Sequence, residues 1–291
     1  MRYAAFQTLI LPARPSSHPA RLLAGAGLTV LLFLALGFAY AGLMPLIFAD
    51  IAEPGQQIGR GPPGVLLLLG QFACLIVALS IALRLVHRRR VRSLIGPARR
   101  GAAQFLRCAL FLLPLYLALV FVPMPEPYRL SRNLAPGPWL AWLPLALPCI
   151  MIQVAAEELT FRGYLQSQLA ARVPHPLVWI GLPSVLFGML HYNTALAGET
   201  PWVLVVWAML FGAAAADLTA RAGTLGPALA LHFVNNVFAI LVTAPAGDLD
   251  GLALYTFPLD LATDRVIWTL LPMETLLTLC AWLVARLALR A

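Results

Sequence analysis

Three short stretches place ionisable or amide side chains inside otherwise apolar runs. Glu157-Glu158-Leu159-Thr160-Phe161-Arg162 ends one run, Phe187-Gly188-Met189-Leu190-His191 lies late in the next, and His232-Phe233-Val234-Asn235-Asn236 lies in a third. Helical residues four apart share a face, so Glu158 and Arg162 can pair. Glu157 points about 100° away and lacks that partner. An unpaired carboxylate in apolar surroundings suits a general base working near neutrality. His191 shares a face with Phe187. His232 shares one with Asn236, and an amide beside an imidazole offers donors where an oxyanion could develop. Asn235 points elsewhere and reads as polar glue between helices. One unpaired glutamate, two histidines and one asparagine can activate a water, hold a carbonyl and stabilise a tetrahedral intermediate. That is the chemistry of amide hydrolysis. Each cluster alone also has a plainer reading, as an interfacial ion pair, a packing histidine or interhelical glue. There is no HExxH and no GxSxG.

The elements that must carry these groups are membrane helices. The chain has 291 residues, 61% of them hydrophobic and 11% charged, with a mean hydropathy of +0.84. Soluble domains are about 25% charged. Too few polar side chains are left to cover a soluble globule, which excludes a soluble enzyme, a disordered chain and a nucleic-acid-binding domain. A bilayer core needs about 20 apolar residues per helix. Eight such runs are predicted, at 22–48, 64–86, 103–123, 139–161, 177–195, 201–219, 224–245 and 266–288. The expected fold is all-α, a polytopic membrane bundle of about eight transmembrane helices around a polar cavity. The first run is much longer than the apolar core of a signal peptide and continues past Ala39-Tyr40-Ala41, so it reads as an uncleaved anchor.

With the N-terminus inside, sixteen of the twenty basic residues (all arginine) fall on inside segments and only Arg60, Arg129, Arg132 and Arg265 fall outside. This strong positive-inside bias places both termini in the cytoplasm; Arg2 and the run His87–Arg100 are on that side. Outside loops hold Asp50, Glu53, Glu126, Glu199, Asp248, Asp250, Asp260 and Asp264. His18, His87 and His175 read as solvated loop residues, and His87–Arg100 as a loop facing lipid headgroups. Gly59-Arg60-Gly61-Pro62-Pro63-Gly64 matches GxGxxG by letter, but its prolines and the lack of a preceding strand make it a turn. Asp217 and Arg221 read as a structural i, i+4 pair. The four cysteines are far apart and read as core residues.

Depth poses a constraint. Glu157 lies at the cytoplasmic end of its predicted run, whereas His191 lies about 20 Å along its own. They meet only if the fourth helix continues beyond Arg162 through Gly163–Arg172. That extension is expected, with a water-filled cavity open towards the cytoplasm.

EExxxR, FxxxH and HxxxN, in this order on successive polytopic helices, resemble the CPBP (Abi) family, which includes the Ras-converting-enzyme-type CAAX prenyl endopeptidases. The string Glu157-Glu158-Leu159-Thr160-Phe161-Arg162-Gly163 is similar to the family's EExxFRG wording. The resemblance implies an intramembrane endopeptidase acting on a membrane-anchored protein or peptide. It implies Glu157 as the base, His191 as a water-positioning group, His232 and Asn236 as the oxyanion site, and Glu158 and Arg162 as support for Glu157, with Phe187 in the second motif. The family is described both as metalloproteases and as glutamate-type proteases. Glu157, His191 and His232 could hold one Zn2+, or act without metal. Prenyl specificity is not assumed, because a chain rich in alanine and arginine and without lysine reads as bacterial, in the cytoplasmic membrane.

The expected organisation is N-terminal helices over 1–149, a catalytic core over 150–240, and an outside loop with a last helix over 241–291. Two other functions use the same residues. A proton-coupled transporter would need an inverted repeat, and none is visible. A non-catalytic scaffold would carry Glu157 as an expensive structural choice.

Overall fold

In the computed structural model the described residues are 3–47, 61–122, 129–193, 201–247, 249–258 and 264–290. Arg2, Asp50, Glu53, Gly59, Arg60, Glu126, Glu199, Asp248 and Asp260 lie outside them. All eight apolar runs appear as helices: α1 Pro19–Ile47, α2 Gly61–His87, α3 Ala98–Leu119, α4 Pro136–Ala170, α5 Pro176–Met189, α6 Pro201–Ala222, α7 Gly226–Val242 and α8 Asp264–Leu289. Six are long and apolar enough to cross a membrane, but α5 and α7 are shorter. At 1.5 Å per residue, their 14 and 17 residues fall short of a hydrocarbon core of about 30 Å. The chain is an integral membrane protein with six such helices among its described residues. Proline starts four of the eight helices, where its missing N–H costs nothing.

Of the two short helices, α7 lies inside the bundle, while α5 keeps one face outward. α7 packs against α3, α4, α6 and α8, and α5 packs along α6. The largest core joins Leu112 and Tyr116 of α3, Phe161, Phe187, Phe211 and Leu231 to Ala281, Ala285 and Ala288 of α8. Alanines let helix backbones approach closely where lipid supplies no hydrophobic drive. Gly188 does the same between α5 and α6, since a Cβ there would run into the Val205 carbonyl. Leu23, Phe38, Leu110, Phe121, Leu177 and Leu283 point outward and are more than half exposed. An apolar exterior of this kind faces lipid. A small sheet of β1 Ser131–Arg132, β2 Thr243–Pro245 and β3 Tyr255–Phe257 adds to the all-α expectation. β3 lies in the middle, antiparallel to β1 and parallel to β2.

Two loop expectations are corrected. Gly61-Pro62-Pro63-Gly64 is the first turn of α2, with the prolines where no donor is needed. His87–Arg100 is a solvated loop only in part: Arg88, Arg90, Arg92, Arg99 and Arg100 are exposed. His87 and Arg89 are buried, Arg92–Ile95 forms a helical turn, and Leu94 is fully buried. The cause is the N-terminal segment, whose Phe6, Leu9 and Ala13 are fully buried. It folds back, with Tyr3 donating to Asp217 at 2.7 Å and Thr8 to the Gly223 carbonyl at 2.6 Å. Ser16 and Gln168 then close over His87 Nδ1 at 3.0 and 3.1 Å, and Tyr164 meets its Nε2 at 2.9 Å. Burial pulls the Arg89 guanidinium down to about 10. The Asp217–Arg221 pair forms at 2.8 Å.

Candidate active site

α4 carries the acids deep into the bundle because it continues past Arg162, as the depth constraint required. Its α-helical part, Pro136–Glu158, passes into a π-helical turn, Leu159–Leu165, and ends as Gln166–Ala170. α7 repeats the device: Gly226–Val237 carries His232 and Asn236, and a π turn, Phe238–Val242, follows. Such wide turns are frequent at functional sites, and a third, Leu83–His87, ends α2. His191 is displaced from its predicted place. It lies one turn beyond α5, its N–H on the Gly188 carbonyl at 2.9 Å.

These elements bring all of the sequence-predicted residues together. A cavity of about 70 Å³ is lined on its polar side by Gln153, Glu157, His191, His232, Asn235 and Asn236. Phe187, Trp207 and Phe211 form its apolar wall. A water needs roughly 10–15 Å³ of such space, so several fit. Glu157 is half-buried, its Oε2 3.6 Å from His232 Nε2. That is too long for a direct hydrogen bond and leaves both groups to face what enters the cavity.

Glu158 does not support Glu157, as the resemblance implied; it holds His232. Its Oε1 accepts from His232 Nδ1 at 2.8 Å and from Arg162 Nη1 at 2.9 Å. Glu158 is fully buried, Arg162 1% exposed and His232 4% exposed, so the Glu158–Arg162 pair is shut from water and His232 opens only to the cavity. Two adjacent acids thus serve different neighbours because they are about 100° apart on the helix. The Arg162 guanidinium lies 4.4 Å above the Phe187 ring, a cation–π contact made strong by burial. Phe187 also touches the His191 ring at 4.8 Å. Its carbonyl accepts from His191 Nδ1 at 2.9 Å, so in neutral His191 the lone pair is on Nε2.

The asparagines form a chain. Tyr116 donates to Asn235 Oδ1 at 3.0 Å, Asn235 Nδ2 to Asn236 Oδ1 at 3.2 Å, and Asn236 Nδ2 to Gln153 Oε1 at 2.8 Å. Asn235 is interhelical glue, as expected, and also lines the cavity. Gln153, Trp207 and Phe211 were missed. Gln153 had a signal, being a polar residue one turn before Glu157 in an apolar run. The aromatic residues had none, since nothing local separates them from core. Among the described residues no group of three His, Cys, Asp or Glu stands close enough to hold a metal ion.

Residues 138–238 match the family model described as Rce1-like, Type II CAAX prenyl endopeptidase Rce1-like. The chain is 31% identical over 166 residues to the uncharacterized protein YyaK of Bacillus subtilis (strain 168). That alignment covers 54% of this chain and 54% of the relative, so the chain spans about half the length of the curated relative it matches. No solved structure matches.

Proposed function

We propose, from a chain whose residues 138–238 match the Rce1-like CAAX prenyl endopeptidase family model, an intramembrane endopeptidase that hydrolyses a peptide bond of a membrane-anchored protein or peptide. The carrying observation is the convergence of Glu157, His191, His232 and Asn236 on one small cavity. Glu157 takes a proton from a cavity water, whose second hydrogen His191 Nε2 accepts. The water oxygen bonds to the scissile carbonyl carbon, and the developing oxyanion meets a donor from Asn236 Nδ2 and, in the doubly protonated ring whose Nδ1–H Glu158 holds, from His232 Nε2. Glu157 then returns its proton to the amide nitrogen as the C–N bond breaks. Glu158, with Arg162 behind it, keeps the Nδ1 proton of His232 in place, which turns Nε2 to the cavity.

Glu157, His191 and His232 are donor types that zinc accepts, but as placed they do not converge closely enough to hold it. The arginine-rich ends of the helices support a cytoplasmic placement of both termini in a bacterial inner membrane. The test compares wild type with Glu157→Gln and His191→Ala in detergent, on membrane-anchored peptides read by mass spectrometry, with and without chelator. Cleavage lost in both variants with folding retained supports the reading, and chelator sensitivity assigns the metal. Equal cutting by wild type and Glu157→Gln would place the activity elsewhere.

A further inference from the structure

We infer that Gln153 is a positioning residue for Asn236, an assignment that rests on the oxyanion role proposed above. Gln153 precedes Glu157 by one helical turn on α4, so the two share a face. It is 7% exposed and lines the same cavity. A glutamine in a membrane helix is costly unless it is satisfied. Its Oε1 accepts from Asn236 Nδ2 at 2.8 Å, which ties α4 to α7 across the reacting centre.

The direction of the hydrogen bonds gives this tie its meaning. Asn236 Oδ1 is occupied by the Asn235 amide at 3.2 Å, and Asn235 Oδ1 by the Tyr116 hydroxyl at 3.0 Å. With its Oδ1 engaged by Asn235 and its Nδ2 by Gln153, the Asn236 amide is held at both ends in the orientation that presents a donor. It has one N–H left, and that group is a donor. An asparagine free to flip would offer its oxygen half the time, which repels an oxyanion. Gln153 therefore acts through Asn236 and makes no demand on the substrate.

The chain has four asparagines, Asn133, Asn193, Asn235 and Asn236, so a protein labelled with 15N-asparagine gives few side-chain amide pairs. Asn236→Ala identifies its own pair. Gln153→Met should move that pair and lower kcat by about 10- to 100-fold with KM little changed. It should cost almost nothing more in an Asn236→Ala background. Tyr116→Phe, which frees the far end of the chain and keeps its ring packing, should move the same resonances and lower kcat less. An Asn236 pair unmoved by Gln153→Met overturns the proposal, as does a kcat loss of the same factor with and without Asn236. The amide spectrum needs no turnover. If Glu157→Gln cuts like wild type, the proposed function fails while the spectrum still decides the Gln153–Asn236 link.

Discussion

Glu158 Oε1 stands 2.8 Å from His232 Nδ1, and both side chains are buried. A buried carboxylate on one ring nitrogen decides which way the other faces, and here the other faces Glu157. The adjacent acids of α4 thereby divide two tasks. Glu157 is left to the cavity, and Glu158 is spent on the histidine and on Arg162. Glu158→Gln removes the charge that balances Arg162, which has no access to solvent. Losing one partner of a buried pair costs about 3–5 kcal/mol. Thermal unfolding in detergent should show that loss for Glu158→Gln, whereas Glu157→Gln should unfold close to wild type. Equal melting of the two variants would contradict the division of roles.

Phe187 connects this triad to His191. It holds Arg162 over its face at 4.4 Å and touches the His191 ring at 4.8 Å. Phe187→Leu keeps most of the apolar volume but removes the ring under the guanidinium, at a cost of about 2 kcal/mol. Phe187→Ala adds a cavity and should cost about 3–5 kcal/mol. Chemical denaturation of the three proteins measures both steps. A Phe187→Leu protein as stable as wild type would show that the ring only fills space.

The helices and most of the polar residues that line the cavity were legible in the sequence because both signals are local. Apolar runs near the span length mark helices, and i, i+4 spacing puts His232 with Asn236 and Glu158 with Arg162 on shared faces. That Glu158 also holds His232 was not legible, since the neighbour of an α4 face is fixed by where α7 packs. The extension of α4 to Ala170 could be deduced only by asking that Glu157 and His191 meet at one depth. The shortness of α5 and α7 went unread because hydropathy does not separate a span from an apolar helix inside a bundle. His87 was misplaced for a similar reason. Its own neighbours are arginines, and its burial depends on a segment more than seventy residues earlier in the chain.

Gly212 makes a narrower prediction about how α6 reaches the site. A Cβ there would lie 3.2 Å from Ser184 and 3.3 Å from Arg162 Nη2. Those distances are tight, and Arg162 is already fixed by Glu158 and Phe187. Gly212→Val should push α6 from α5 and cost about 1–3 kcal/mol through overpacking. Gly27, whose Cβ would meet nothing within 4 Å, provides the comparison: Gly27→Val should melt near wild type. Similar losses at both positions would mean that intrinsic helix preference, and not the α5–α6 approach, governs the effect.

The histidines separate a buried anchor from surface turns. His87 accepts at Nδ1 from Ser16 and Gln168 and meets Tyr164 at Nε2. With Tyr164 donating to the Leu22 carbonyl at 3.3 Å, the neutral ring carries its hydrogen on Nε2. One ring thus joins the N-terminal segment, α2 and α4, while Gly25 of α1 lies so close that a Cβ would run into both His87 and Tyr164. His87→Ala leaves several buried polar groups without partners, each worth about 1–3 kcal/mol. His18 is exposed and makes one bond to the Ala20 amide at 3.2 Å, so His18→Ala should lose only about 1 kcal/mol. Limited proteolysis sharpens the comparison. If His87 holds the N-terminal segment down, His87→Ala should be cut first within residues 3–16, faster than wild type and His18→Ala. Protection of that segment in His87→Ala would mean that Phe6, Leu9 and the Tyr3–Asp217 bond hold it without the histidine.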